Sequence, residues 1–122
     1  MIPASFEYER AGSLDEAVEL LGSVDDAKVL AGGQSLIPIL RLRFTRPSLL
    51  VDVGRLADVR YVRGDGDRIA IGALSRHADL PRDPVLTRHC ALVGDVAAGV
   101  GDPQVRHRGT IGGSVAHADP AP

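Results

Sequence analysis

Tryptophan is absent from this sequence of 122 residues, and only 3% of the residues are aromatic. Proteins that bind single-stranded nucleic acid stack the bases on aromatic side chains, so the composition argues against that class. The net charge of −2 also provides no bulk attraction to nucleic acid or to an anionic membrane. We therefore expect neither a nucleic-acid partner nor a membrane partner.

Cysteine occurs only once, at Cys90. One thiol cannot form an internal disulfide, and it cannot hold an iron–sulfur cluster, which usually takes four thiolates. Redox chemistry would therefore depend on a bound organic cofactor or on a partner. His89 and Cys90 point in different directions in a helix, and His117 with Asp119 is too sparse for a metal site. We predict no metal site.

Long apolar runs are also missing, and none approaches the length of a membrane-spanning helix. The first residues have neither the basic nor the apolar region of a secretory leader. Hydrophobic residues make up 44% of the chain and charged residues 25%, which is typical of a globular domain. These features predict a cytoplasmic protein.

The first half of the chain alternates between helix and strand patterns. Ser13-Leu14-Asp15-Glu16 has the pattern of a capping box at the start of a helix. An apolar strand is expected at residues 27–31, followed by a helix capped by Ser35 and a buried strand at 49–53. These patterns predict a small β-α-β-α-β lobe with parallel strands, spanning residues 1–54.

The second half has a mixed pattern. Strands at 59–62 and 68–71 flank a Gly-Asp-Gly-Asp sequence, which is typical of a hairpin. Asp83-Pro84 predicts the start of a helix that continues to Ala97, whereas the C-terminal stretch has the composition of loops. We therefore expect an α+β fold in which the small lobe is followed by a mixed α+β lobe at residues 55–122.

Two glycine-rich segments could bind an anion. Ala31-Gly32-Gly33-Gln34-Ser35 lies between a predicted strand and a predicted helix, where backbone N–H groups favour an anion. Residues 109–114 (Gly-Thr-Ile-Gly-Gly-Ser) combine paired glycines with hydroxyls that can donate to phosphate oxygens. Neither segment is a P-loop or a dinucleotide fingerprint, and each alone is consistent with simple tight turns. Together they suit a diphosphate.

Three motifs, in order along the chain, resemble one family. Residues 29–36 (Val-Leu-Ala-Gly-Gly-Gln-Ser-Leu) resemble the first flavin segment of the FAD-binding medium subunit of molybdenum hydroxylases. This family includes the flavin subunits of carbon monoxide dehydrogenase and xanthine dehydrogenase. Residues 71–80 resemble its middle motif, and residues 101–114 resemble its second flavin segment. The similarity continues through Ala118-Asp119-Pro120 and so covers essentially the whole chain.

The resemblance implies an FAD-dependent oxidoreductase subunit with its pyrophosphate between the two glycine segments. Electrons would arrive from an iron–sulfur subunit, supplied by a molybdopterin subunit, and would leave through FAD to an external acceptor. It implies no catalytic side chain, because the flavin performs the redox chemistry. The cofactor-binding residues that it implies are Val29, Leu30, Ala31, Gly32, Gly33, Gln34, Ser35, Leu36, Thr110, Ile111, Gly112, Gly113 and Ser114.

The chain departs from the family pattern in two residues and in length. His107 and Ser114 stand where the family usually or often has asparagine, although both retain hydrogen-bonding ability. The family chain continues for more than this length again, so the resemblance implies an incomplete, N-terminal part of a two-lobed FAD-binding domain. We expect these residues alone to be inactive, to bind FAD weakly and to self-associate through exposed apolar surface.

Two other functions remain open. A flavin-free chain could act only as a subunit-interaction module. Gly109-Thr110-Ile111-Gly112 also matches the GXXG loop of KH-type RNA-binding domains, although the negative net charge argues against RNA.

Several ionisable side chains have no assigned role. His77 and Asp79 are expected on the outer face of a short helix. Arg106, His107 and Arg108 form a basic turn, for which a surface position is more common than a direct phosphate contact.

Overall fold

The structure of the chain, a computed structural model, describes residues 1–120. It consists of two compact units, the first formed by Met1–Leu56 and the second beginning at Ala57. Both units contain helices and strands, so the predicted α+β class is confirmed. The assignment of residues 1–54 and 55–122 as lobes of one FAD-binding domain stays a prediction.

The first unit is built on a parallel sheet. It contains strands β1 (Glu7–Arg10), β2 (Lys28–Leu30) and β3 (Leu49–Asp52), and helices α1 (Leu14–Ser23) and α2 (Leu36–Arg41). The strand order is β1-β3-β2, with Tyr8 opposite Leu50 and Val29 opposite Val51. The predicted β-α-β-α-β arrangement with parallel strands is therefore present. In such sheets, ligands bind beyond the carboxyl ends of the strands, where residues 31–35 follow β2.

The central strand β3 supplies three successive residues to the core of this unit. Leu49, Leu50 and Val51 are all buried, as expected for a continuous apolar run in the middle of a parallel sheet. Ala17 of α1 and Leu40 of α2 are the buried residues of the two helices. Burial of β3 thus fixes the position of the segments that follow the strands.

The two helices of the first unit begin differently. Ser13 caps α1 as predicted, because its Oγ accepts from the N–H of Glu16 at 3.1 Å. Ser35 precedes α2, but its side chain makes no cap hydrogen bond and its backbone is already helical, with φ −100° and ψ −44°. The prediction of a Ser35 cap is therefore wrong, and the N-terminus of α2 has no side-chain cap.

The second unit combines a hairpin with short helices. Its elements are β4 (Val62–Asp65), β5 (Arg68–Ile71), α3 (Pro84–His89), α4 (Ala91–Ala98), α5 (Pro103–Arg108) and α6 (Ile111–His117), with 3-10 helices at Ala57–Val59 and Leu80–Arg82. β4 and β5 are antiparallel, and Gly66, at φ +64°, lies in the turn between Asp65 and Arg68. The hairpin is present, but its first strand lies later than the predicted residues 59–62: Val59 ends a 3-10 helix, and β4 includes Gly64 and Asp65, which were predicted in the turn.

The helix predicted to run from residue 84 to Ala97 is divided at Cys90. Asp83 caps α3 as predicted, but Cys90 leaves the helical region, with φ −154° and ψ 64°. Leu86 and Ala97 belong to one buried cluster with Leu80. A straight helix would separate Leu86 from Ala97 by about 16 Å, so the break allows both to reach the same core.

The C-terminal stretch is helical, which contradicts the prediction of loops. Asp102 caps α5 by accepting from the N–H of Val105 at 2.8 Å, and Thr110 caps α6 by accepting from the N–H of Gly113 at 3.2 Å. Ala118 ends α6 in the left-handed conformation, at φ 56°. None of the helices in residues 1–120 has the length and apolar character needed to cross a membrane. The cytoplasmic location stays a prediction.

Candidate functional site

The first glycine segment, residues 31–35, leaves the sheet at the end of β2. The N–H of Val53, just after β3, donates to the carbonyl of Leu30 at 3.0 Å and so holds this end of β2 in place. Gly33 has φ +76°, and a Cβ there would lie 2.7 Å from Cδ1 of Ile37. The Ile37 side chain can move away from such a Cβ, so it is the positive φ that favours glycine at this turn.

The backbone donors of this segment have no protein partner. The N–H groups of Gly32, Gly33, Gln34 and Ser35 donate to no acceptor in the described part of the chain. The Gln34 amide instead turns back and donates to the carbonyl of Gly32 at 3.3 Å. Because the Ser35 hydroxyl is not used as a cap, it too is available. Four successive free N–H groups at a strand-to-helix turn form a suitable site for an anion.

A polar cluster that sequence analysis did not find supports this edge of the sheet. Asp52, at the end of β3, accepts from the Tyr8 hydroxyl and from the N–H of Gly54 at 2.8 Å, and Nε of Arg10 lies 3.9 Å away. The hydrogen bond with Tyr8 raises the pKa of Arg10. Tyr8 and Arg10 are two residues apart on β1 and so share one face of the sheet, which is the sequence pattern that could have predicted this cluster. The cluster anchors the strand ends, and its carboxylate is already satisfied.

The second glycine segment, residues 109–114, is held by the turn at residues 73–77, in which Arg76 forms an isolated bridge with Thr110. Its backbone makes three hydrogen bonds to them: Ile111 N–H to Ser75 O at 2.9 Å, Gly112 N–H to Ala73 O at 2.8 Å, and His77 N–H to Gly109 O at 3.1 Å. A Cβ at Gly112 would lie 2.6 Å from both Cβ and O of Ala73. The glycine at 112 therefore permits close packing of the α6 N-terminus.

This segment differs from the first in its available donors. Carbonyls of residues 73–77 take the N–H groups of Ile111 and Gly112, while Thr110 takes those of Gly113 and Ser114. The paired glycines resemble those of the first segment, but here the fold uses these four donors itself. Of the two hydroxyl-bearing residues of this segment, Ser114 is exposed and Thr110 is buried. Any anion contact here would depend on side-chain hydroxyls.

His77 is buried, which contradicts the prediction that it lies on the outer face of a helix. The residue is only 5% exposed, and its Nε2 lies 3.0 Å from Oγ of Ser114. Burial lowers the pKa of His77. The predicted helix does not form around it, because residues 73–77 pair with residues 109–112, far along the chain.

The comparisons with known proteins identify the family. Residues 4–122 match a family model described as the FAD binding domain in molybdopterin dehydrogenase. The chain belongs to this family. The predicted family and its cofactor, FAD, are therefore confirmed.

Two named proteins are similar to this chain over almost its whole length. The 6-hydroxypseudooxynicotine dehydrogenase complex subunit alpha of Paenarthrobacter nicotinovorans is 48% identical, over 99% of this chain and 41% of that protein. The carbon monoxide dehydrogenase medium chain of Hydrogenophaga pseudoflava is 46% identical, over 98% of this chain and 42% of its own length. This chain therefore spans about two fifths of the relatives that it matches.

Solved structures show the same similarity. Carbon monoxide dehydrogenase from Hydrogenophaga pseudoflava, lacking the Mo-pyranopterin moiety, matches with a TM-score of 0.94 at 46% identity. Quinoline 2-oxidoreductase from Pseudomonas putida 86 matches with a TM-score of 0.93 at 36% identity. Each match covers 98% of this chain and 42% of the solved chain. The fold of the FAD-binding family is thus present across the chain.

In the basic turn at residues 106–108, two side chains make hydrogen bonds within the fold and the third is exposed. Nη1 of Arg106 donates to the carbonyls of Val100 and Gly101, at 3.1 and 2.9 Å, and so stabilises the turn before α5. Nδ1 of His107 lies 2.8 Å from the carbonyl of Pro103. Arg108 is exposed. Within the described residues, no group of three or more His, Cys, Asp or Glu side chains could hold a metal.

The buried histidine predicts a pH dependence of stability. Because burial lowers the pKa of His77 below its ordinary value of 6.5, the unfolded chain binds this proton more readily than the folded chain. The stabilisation is complete above pH 6.5 and is lost as the pH falls through the lower, folded pKa. Urea unfolding should therefore give a lower free energy of unfolding at pH 5.5 than at pH 7.5. His77→Gln, which cannot titrate, should reduce this difference, and an unchanged difference would contradict the assignment.

Proposed function

We propose that this chain binds FAD through both glycine segments and belongs to the flavin subunit of a molybdenum hydroxylase. The observation that carries the proposal is the row of free N–H groups from Gly32 to Ser35 in a chain of the FAD-binding family. A pyrophosphate carries two negative charges on adjacent phosphates, and successive N–H groups at a helix start are suitable donors for them.

The two segments contribute different groups in this proposal. Residues 31–35 supply backbone N–H groups, and the second segment supplies the hydroxyl of Ser114, because Thr110 is buried and its hydroxyl caps α6. The flanking side chains of Val29, Leu30, Leu36 and Ile111 supply apolar contact. When bound, FAD supplies the redox chemistry by accepting and passing on electrons, while the protein binds and orients it.

The proposal includes partners for electron transfer. Electrons would reach FAD from an iron–sulfur subunit supplied by a molybdopterin subunit, and an external acceptor would take them. The single cysteine supports this division, because a cluster needs about four thiolates and the sequence has one. The relatives named above are described as a subunit of a complex and as a medium chain, which agrees with a role beside other chains.

The first test compares FAD affinity in two proteins. One is this chain, and the other is a chimera in which it continues into the remaining sequence of the Hydrogenophaga medium chain, of which it covers only 42%. We expect those further residues to cover part of the flavin ring. At roughly 25 cal/mol per Å², each 100 Å² of apolar surface left in water costs about 2.5 kcal/mol. The dissociation constant of the chimera should therefore be more than tenfold lower.

Absorbance spectra and light scattering complete this comparison. The chimera should be yellow as purified, and the chain alone should be colourless and should self-associate through exposed apolar residues. Equal, tight affinity would show that residues 1–122 form a complete flavin site. A chimera without flavin that still captured an iron–sulfur partner would support the interaction-module alternative instead.

A further inference from the structure

The imidazole of His77 contacts the second glycine segment at one hydroxyl. Nε2 lies 3.0 Å from Oγ of Ser114, and the ring lies beside Gly109. A Cβ at residue 109 would lie 3.1 Å from Cδ2 of His77 and 3.6 Å from its Nε2. Glycine at this position therefore leaves room for the ring next to the start of α6.

The surroundings of the ring indicate which nitrogen carries the proton. A histidine whose Nε2 accepts a hydrogen bond usually keeps its proton on Nδ1, held there by a carbonyl or a carboxylate. Within residues 1–120, no protein acceptor contacts Nδ1 of His77, whereas Nε2 has a partner in Ser114. Ser114 Oγ is therefore the protein acceptor available to a proton on this ring, and that proton would be on Nε2. Burial lowers the pKa of His77, which keeps the ring neutral near pH 7.

We infer that His77 is a positioning residue whose Nε2–H donates to Ser114 Oγ and thereby leaves the Ser114 O–H free to donate to a phosphate oxygen of FAD. A hydroxyl has one proton and two acceptor sites, so its direction depends on its neighbours. If His77 accepted instead, the serine proton would point at the ring, and only lone pairs would face the anion. The inference rests on the proposed function.

The second glycine segment has few donors left for a ligand, which is why the direction of the Ser114 hydroxyl matters. The backbone N–H groups of Ile111, Gly112, Gly113 and Ser114 are all occupied within the fold. Thr110 is buried, whereas Ser114 is exposed. The Ser114 hydroxyl is thus the accessible donor at this segment, and His77 sets its direction. Hydrogen bonds to charged groups are among the stronger ones in proteins, so this direction affects affinity.

The test measures FAD affinity for four variants of this chain by amide NMR titration, which detects weak and tight binding alike. Ser114→Ala and His77→Phe should each raise the dissociation constant by about tenfold. The double variant should be no weaker than either single variant, because both remove the same hydrogen bond. His77→Gln retains an N–H donor and should recover most of the affinity. Additive losses, or equal effects of His77→Phe and His77→Gln, would overturn the inference.

A second measurement does not depend on FAD. The ¹⁵N chemical shifts of the imidazole distinguish the two neutral tautomers and should show the proton of His77 on Nε2. A proton on Nδ1 would overturn the inference, even if His77→Phe fails to fold. Wild-type chain that binds no FAD would contradict the proposed function and this inference with it. Wild-type binding that all variants retain would overturn the inference alone.

Discussion

Gly112→Ala is expected to destabilise the second unit by about 3 kcal/mol, because its methyl group has no space. A Cβ at this position would lie 2.6 Å from Cβ and O of Ala73 and 2.9 Å from Cα of Ala73. Two of these three atoms belong to the backbone, so a change of rotamer cannot relieve the overlap. Overpacking of this kind typically costs about 1–3 kcal/mol.

The overlap would also separate α6 from residues 73–77. Two hydrogen bonds would then be lost or weakened, from Gly112 to Ala73 at 2.8 Å and from Ile111 to Ser75 at 2.9 Å. Each bond contributes about 1 kcal/mol, while the better helix propensity of alanine returns up to about 1 kcal/mol. Urea unfolding measures the net loss.

Gly22→Ala is the matched control for this variant. Gly22 also lies in a helix, α1, but a Cβ there would meet no atom within 4 Å. The same substitution should therefore stabilise the first unit by up to about 1 kcal/mol, through helix propensity alone. Opposite signs for the two variants are expected. A neutral effect of Gly112→Ala would contradict the close packing described at Ala73.

Gly32→Asp should nearly abolish FAD binding while the chain remains folded. The carboxylate would stand among the free N–H groups of the first segment and would repel the pyrophosphate. Two unit charges 4 Å apart interact with about 4 kcal/mol at an effective dielectric constant of 20. The dissociation constant should therefore rise by about a thousandfold. Gly32 is a cleaner choice than Gly33, whose φ of +76° would add backbone strain to any substitution.

Two control variants separate charge from folding. Gly32→Ala adds a Cβ without charge and should lower the affinity far less. Gly22→Asp adds the same charge at an open position in α1 and should leave FAD affinity unchanged. Circular dichroism of each variant checks that the fold is retained. Unchanged affinity in Gly32→Asp would rule out the first segment as the pyrophosphate site.

The first unit could be predicted closely because its elements depend on local patterns. Ser13 with Glu16 marks the start of α1, and the apolar run of β3 marks a buried parallel strand. The cap predicted at Ser35 is wrong because serine is typical of caps, whereas the backbone of Ser35 is already helical. That error concerned the site itself, since the unused hydroxyl and N–H groups are the candidate anion donors.

The second unit was harder because its site depends on contacts between distant residues. Pairing of residues 73–77 with 109–112 buries His77 and occupies the N–H groups of Ile111 and Gly112. No local pattern around His77 contains this information. The C-terminal helices could have been found, since Asp102-Pro103 repeats the Asp83-Pro84 pattern that correctly predicted α3. The glycine-rich composition of the segment is typical of loops and led to the wrong prediction there.

The amide NMR spectrum of this chain during FAD addition tests the central claim most directly. Binding through the first segment should shift the amide signals of Gly32, Gly33, Gln34 and Ser35, whose N–H groups are free of protein acceptors. Riboflavin has the same ring but no pyrophosphate and should leave these four signals in place. FAD binding that shifts other amides while these four remain unchanged would contradict the account.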